Sequence, residues 1–323
     1  MGPHGGHPVL STASTFAGEI LAAGPDAFVG WTPAKVNLFL EVTGRRPDGY
    51  HAVETLIVAV NLFDTLEARA RPDGELHLTC DAPGVPVDGT NLVLKAAEFL
   101  RGDRPWGASL RLTKRIPHAA GLGGGSSDAA LTLHTLNRLW GLNHPVAKLI
   151  EIAAGVGSDV GVFLGGAAGW CTGRGEVVEP TEVRVPLDLV IVKPPYGLST
   201  AAVYRGHTPP AVPVSSRGMR DAIDSGTAVA AHLHNRLEAP AFAAEPRLNA
   251  VRDRLTACGP LGVLLCGSGS SLFALARNPA DAARIARDYS THSGDDGSRL
   301  FVVRSLPGRN SARPPVTPQG ATQ

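Results

Sequence analysis

Cysteine is scarce. The 323 residues contain four, Cys80, Cys171, Cys258 and Cys266. No two stand in C-x-x-C spacing and no histidine cluster accompanies them, so a zinc site or disulfide framework lacks support. Four free thiols in a reducing compartment is the plainer reading. An excess of either charge is lacking too. Lys plus Arg number 30 against 29 Asp plus Glu, a net charge of +1. Such a chain has no bulk field to draw in nucleic acid or an acidic membrane, so an anionic ligand must be met by a local site. No stretch approaches the roughly 20 apolar residues of a membrane-spanning helix. The Phe16–Ala23 segment is short and carries Glu19, and no Lys or Arg gives residues 1–27 the start of a signal peptide. The expectation is a cytoplasmic protein with a flexible leader over residues 1–27. A Pro-, Arg- and Ser-rich tail over residues 307–323 is expected to be disordered.

Hydrophobic residues make up 43% and charged residues 18%. That supplies sizeable cores, and at roughly 100–200 residues per domain the length suggests two. Alternation and apolar runs predict strands over 28–31, 36–42, 56–60, 64–70, 76–80 and 109–113. Helical spacing predicts helices over 91–100, capped by Asp88 or Thr90, and over 127–140 and 147–154. Turn chemistry marks Arg45–His51, around Pro47-Asp48-Gly49, and Gly173-Arg174-Gly175. The texture changes near residues 180–187. Beyond it, strands are expected over 187–193, 262–266, 273–276 and 300–304, helices over 228–237, 248–258 and 280–289, and an exposed Pro-rich loop over 208–213. The division expected is therefore 28–182 and 183–306, two α+β units.

One segment carries chemistry on its face: Pro117-His-Ala-Ala-Gly-Leu-Gly-Gly-Gly-Ser-Ser-Asp128. Glycine costs chain entropy, and a folded protein keeps so many only where side chains do not fit. The sequence turns helical at once afterwards. A glycine-rich loop running into a helix N-terminus offers free N–H groups and the positive end of the helix dipole to an anion. Ser126 and Ser127 could cap the helix, donate to phosphate oxygens, or help ligate Mg²⁺. The lysine of G-x-x-x-x-G-K-[ST] is missing, and Ser126 stands where a dinucleotide fingerprint starting at Gly121 needs its last glycine. The residues alone therefore say phosphate loop without the Walker lysine, and leave a flexible linker or a plain helix cap as the alternative.

This segment resembles the phosphate loop of the GHMP kinase superfamily. The Gly-Gly-Gly-Ser-Ser form is most similar to the branch that phosphorylates 4-diphosphocytidyl-2-C-methyl-D-erythritol. Four more segments resemble that branch in order: Pro33-Ala-Lys-Val-Asn-Leu-Phe-Leu40, Arg46-Pro-Asp-Gly-Tyr-His51, Gly157-Ser-Asp-Val160 and Leu265-Cys-Gly-Ser-Gly-Ser-Ser271. Five in order, across about residues 30–305, weigh far more than any one.

The resemblance implies a two-domain GHMP kinase fold: an N-terminal domain like ribosomal protein S5 domain 2 and a ferredoxin-like C-terminal domain, with the site between them. It implies ATP with Mg²⁺ and transfer of the γ-phosphoryl group to a hydroxyl in non-mevalonate isoprenoid biosynthesis. Asp159 matches the catalytic base, and Lys35 the lysine that places positive charge beside it and near the transition state. ATP would meet Pro117, Ala119, Ala120, Gly121, Leu122, Gly123, Gly124, Gly125, Ser126 and Ser127, with Lys95 near the adenine. The acceptor would meet Asn37, Tyr50, His51, Thr200 and Tyr204, its cytosine sandwiched by Tyr50 and Tyr204 and its edge read by His51. Gly161 departs from the family, which commonly has proline there. Competing readings are a homoserine or mevalonate type of kinase, or an inactive nucleotide-binding regulator on the same fold. Small acceptors need no stacking platform, and a regulator needs no Lys35–Asp159 pair.

Overall fold

A computed structural model describes residues 17–47, 49–208, 210–293 and 296–307. The expected leader up to residue 16, the tail from 308, Asp48 of the predicted turn and Pro209 of the Pro-rich loop lie outside the described residues. The leader reading needs correction in its last third. Strand β1 (Glu19–Gly24) pairs antiparallel with β2 (Ala27–Arg45). Its side chains are mostly exposed, so its order comes from backbone pairing, which leaves little trace in composition.

The long strands β2 and β3 (His51–Arg71) form the spine of the N-terminal sheet, pairing along nearly their whole length. Strand β4 (Leu76–Cys80) comes next, then helix α1 (Leu92–Arg101) and strand β5 (Gly107–Thr113). The sheet runs β1-β2-β3-β5-β4, with β4 parallel to β5. Asn91 caps α1 by accepting the Val93 amide at 2.9 Å; Asp88 instead accepts from Thr90 one turn too early. Helices α2 (Gly124–Leu139), α3 (Val146–Val156) and α4 (Val160–Gly165) pack with α1 in one core over the sheet. Strand β6 (Ala168–Thr172) joins β3, and β7 (Val177–Pro180) joins β6.

The second sheet is antiparallel, in the order β10-β11-β8-β12: β10 (Gly262–Leu265), β11 (Leu272–Ala276), β8 (Asp188–Lys193) and β12 (Arg299–Arg304). Its strands alternate between two cores. Leu189, Ile191, Phe273 and Leu275 face a core shared with β2, β3 and β6. Val190, Val192, Leu272 and Ala274 face a core built with three helices, α7 (Glu238–Ala244), α8 (Arg247–Ala257) and α9 (Pro279–Ser293). Burial on both faces explains why 187–193 reads as one apolar run. The two sheets therefore meet through side chains.

Shorter helices α5 (Thr200–Arg205) and α6 (Arg217–Ser225) connect these parts. The helix predicted over 228–237 is replaced by a 3₁₀ turn, Val229–His232, and a two-residue strand β9 (His234–Asn235) lying parallel to β2 at Phe39 and Leu40. Asn235 Nδ2 also donates to the carbonyls of Leu265 and Gly267, at 2.8 and 2.7 Å. These long-range bonds outweigh a weak local helical preference.

Candidate active site

The glycine-rich loop lies on a platform of backbone. Gly121 has φ +75°, and a Cβ there would stand 1.9 Å from the Cys266 carbonyl oxygen. The Ser271 amide donates to the Ala120 carbonyl at 3.1 Å, and the Lys35 amide to that of Leu122 at 3.0 Å. The loop 267–271 is therefore the surface against which the phosphate loop folds, and its Gly267 and Ser268 also line the cavity described next. Gly123, at φ +71°, caps the 16-residue α2 without a side chain. The first amides of α2 thus open into a cavity of about 1030 Å³. That lies at the upper end of the roughly 300–1,000 Å³ typical of small-molecule sites.

The cavity gathers every predicted site residue except two. Lys35 is 4% exposed on β2, and its ammonium donates to Asn37 Oδ1 at 2.7 Å. Asn37 Nδ2 donates to Thr55 Oγ1 at 2.8 Å, and Thr55 donates to the Phe39 carbonyl at 2.7 Å. This relay fixes the amide of Asn37 and, through it, the lysine. The Asp159 carboxylate lies 3.9 Å from Lys35 Nζ, just ahead of α4, with its side chain 38% exposed. The pair faces the start of α2, the arrangement that phosphoryl transfer requires: a proton acceptor, a cation and an anion cradle converging on one space. Gly161 sits in the first turn of α4, where the helix forms without the family's proline.

The acceptor end is made of side chains. Tyr50, 57% exposed, carries the Arg174 guanidinium 5.0 Å from its ring centroid. Tyr204 packs on His51, with centroids 5.1 Å apart and an interplanar angle of 35°, and His207 meets His51 edge-on at 6.1 Å. The ring against Tyr204 is thus His51, in place of the expected open slot between two tyrosines. Thr200 Oγ1 shares a hydrogen bond with Ser268 Oγ at 2.8 Å.

Two expectations fail. Ser127 is fully buried; its hydroxyl donates to the Pro33 carbonyl at 2.6 Å and meets Thr32 Oγ1 at 2.5 Å. Those bonds tie α2 to β2, so Ser127 neither faces a phosphate nor offers oxygen to a metal. Ser126 is the serine that lines the cavity. Lys95 is exposed on the outer side of α1 and does not line the cavity. The lysine present there is Lys114, which the sequence reading missed. Its ammonium bonds to Asp64 and, at 2.6 Å, to Asp128. Asp64 also accepts the amides of Arg115 and Ile116, at 2.6 and 2.9 Å, fixing the entry to the loop. Burial pushes the Asp128 carboxyl up, Lys114 pulls it back and Asp64 adds a push, leaving it at about 8. The signals were Lys114 three residues before Pro117 and an acid directly after Ser126-Ser127; neither is distinctive alone.

Comparison with known proteins agrees with this geometry. Residues 91–167 match the GHMP kinases N terminal domain, and residues 211–294 the GHMP kinases C terminal domain. A 4-diphosphocytidyl-2-C-methyl-D-erythritol kinase of Pelotomaculum thermopropionicum is 42% identical over 262 residues, covering 79% of this chain and 91% of its own. The enzyme of the same name from Exiguobacterium sibiricum is 41% identical over 281 residues, 85% and 96% of the two chains. A solved 4-(cytidine 5'-diphospho)-2C-methyl-D-erythritol kinase is 34% identical with a TM-score of 0.71, covering 86% of this chain and 98% of its own. A homoserine kinase from Cytophaga hutchinsonii shares the fold, with a TM-score of 0.66, at only 19% identity over 90% and 97% of the chains. With this cleft and relatives this similar along most of both chains, the chain belongs to the 4-diphosphocytidyl-2-C-methyl-D-erythritol kinase family of the GHMP kinases.

Proposed function

We propose that this chain transfers the γ-phosphoryl group of ATP to the 2-hydroxyl of 4-diphosphocytidyl-2-C-methyl-D-erythritol, a step of the methylerythritol phosphate route to isoprenoid precursors. The observation that carries the reading is the convergence of Lys35 and Asp159 on the N-terminus of α2. ATP lies with its phosphates on the amides of residues 121–126. Asp159 accepts the proton of the attacking hydroxyl. The new bond forms between that oxygen and the γ-phosphorus as the bond to the β–γ bridging oxygen breaks, and ADP leaves. Lys35 has donors beyond the one held by Asn37 and turns them to the charge that develops on the phosphoryl oxygens.

The donor set fits Mg²⁺, a hard ion usually bound by one or two protein oxygens together with nucleotide phosphates. Ser126 is the cavity-lining hydroxyl at the start of α2 that would hold it, which leaves Asp159 to accept the proton. When bound, the ion neutralises charge on the β- and γ-phosphates. No helix of the described residues is long and apolar enough to cross a membrane. We place the enzyme in the cytoplasm, acting on small molecules without a nucleic-acid partner. The test is ATP consumption with the cytidine-diphosphate acceptor, mevalonate and homoserine in parallel. Turnover with the first is expected; turnover only with the other two would sink the assignment.

A further inference from the structure

Five Lys or Arg side chains line the cavity against two acidic residues, Asp128 and Asp159. Lys114 is bound by Asp64 and Asp128, and Lys35 is paired with Asp159. The surplus positive charge therefore belongs to Arg45 and Arg205 outright and to Arg174 in part, since Glu176 lies 3.9 Å from its Nε; all three stand toward the aromatic end. Arg45 and Arg205 are exposed. Arg174 is different. It stands at the tip of the turn joining β6 and β7, between Gly173 at φ +73° and Gly175 at φ +114°, conformations that side chains rarely adopt. The Val53 amide donates to the Gly173 carbonyl at 2.8 Å, anchoring the turn two residues from His51. A Cβ on Gly175 would lie 3.3 Å from Asp159 Oδ1. One short turn thus spans the acid and the aromatic end.

The guanidinium stacks on Tyr50 and makes no side-chain hydrogen bond among the described residues; its nearest carboxylate, Glu176, is 3.9 Å away. A planar fork with unused donors, held over a ring, suits bidentate capture of phosphate oxygens. An acceptor with its base at Tyr50, His51 and Tyr204 and its hydroxyl at Asp159 must lay what joins them across this turn.

We propose that Arg174 grips the diphosphate of the acceptor and makes the site selective for acceptors that carry one. The inference rests on the kinase reading above. Its test is direct titration of the full chain, wild type and Arg174→Gln, with CDP and with cytidine, beside steady-state kinetics. Losing a charged hydrogen bond to phosphate predicts CDP affinity and acceptor KM worse by roughly 10–100-fold. Cytidine affinity and the KM for ATP are expected to move less than about twofold, and kcat less than about threefold. Arg174→Lys keeps the charge without the fork and is expected to fall between. The same loss for cytidine as for CDP would overturn the proposal, since Arg174 would then act only through the base platform at Tyr50; so would unchanged CDP binding. Should the wild type not turn over the cytidine-diphosphate acceptor, the functional reading fails, while the CDP titration still decides the role of Arg174.

Discussion

The two ends of the cleft are built by opposite means. The phosphate end is backbone: α2 amides, glycines where no Cβ fits, and a carbonyl of one glycine loop bonded to an amide of the other. Its polar side chains are buried and already paired, as with Lys114, Asp64 and Ser127. The acceptor end is side chain: the exposed Tyr50, the stacked pair of His51 and Tyr204, and the Arg174 guanidinium lying over the Tyr50 ring. A backbone cradle reads what all phosphates share, so it can serve every acceptor class built on this fold. Side chains read what differs. Catalysis should therefore be destroyed from the first end and specificity from the second.

The largest effect is expected where the two ends meet. Asp159→Asn keeps the shape and removes the proton acceptor, so kcat should fall by about 10²–10⁴-fold. Nucleotide titration should find ATP affinity within about threefold of wild type. Near-normal turnover would remove Asp159 as the base.

Next is the backbone end. Gly121→Ala places a methyl 1.9 Å from the Cys266 carbonyl in a left-handed conformation. The two glycine loops must then separate. A stability loss of about 2–4 kcal/mol is expected in denaturant melts, with the KM for ATP raised and no selective effect on the acceptor. Gly44→Ala, where a Cβ meets nothing within 4 Å, is the control and should leave both unchanged. Equal behaviour of the two variants would refute the claim that the loops are locked together.

At the side-chain end, Tyr204→Ala removes the ring on which His51 packs. Aromatic pairs contribute about 0.5–1.5 kcal/mol beyond burial, so the acceptor KM should rise by roughly 3–10-fold or more with the KM for ATP unmoved. A matching rise in the KM for ATP would blur the division between the two ends.

The same division decided what was legible beforehand. Gly121–Ser126 stand in one contiguous motif whose chemistry is local, Lys35 and Asp159 follow from the resemblance of their segments to the family, and most strands follow from alternation. Lys114 was missed because its meaning depends on Asp64, fifty positions earlier in the chain. Lys95 enters only through the family resemblance; as a residue it reads as a solvated helical lysine, and it is exposed. Ser127 and Ser126 are adjacent and chemically identical; only the rotation of α2 against β2 decides which one bonds to Pro33. The stack of Tyr204 on His51 joins residues from the two halves of the chain, and β9 exists only because β2 lies beside it. Local chemistry was readable; orientation and long-range pairing were not.

The smallest effect concerns the charge sealed beneath the phosphate loop. Lys114 brings one positive charge to two buried carboxyls, Asp64 and Asp128. The surplus carboxyl keeps its proton, and Asp128 titrates at about 8 from an ordinary 3.8 because burial, opposed by Lys114, disfavours its charge. Between those values the folded chain holds a proton that the unfolded chain releases, so the folded state binds more protons there. Its contribution to stability is complete below about pH 4 and is lost as pH rises through about 8. Asparagine still accepts from Lys114 and cannot ionise. The Tm of Asp128→Asn relative to wild type should therefore climb steadily from pH 4 to pH 8, whatever its offset at pH 4. A difference that stays flat or falls across that window would mean that Asp128 is ionised in the folded protein. The phosphate cradle would then rest on a net negative charge, and its affinity for ATP would come from the α2 amides and Lys35 working against that charge.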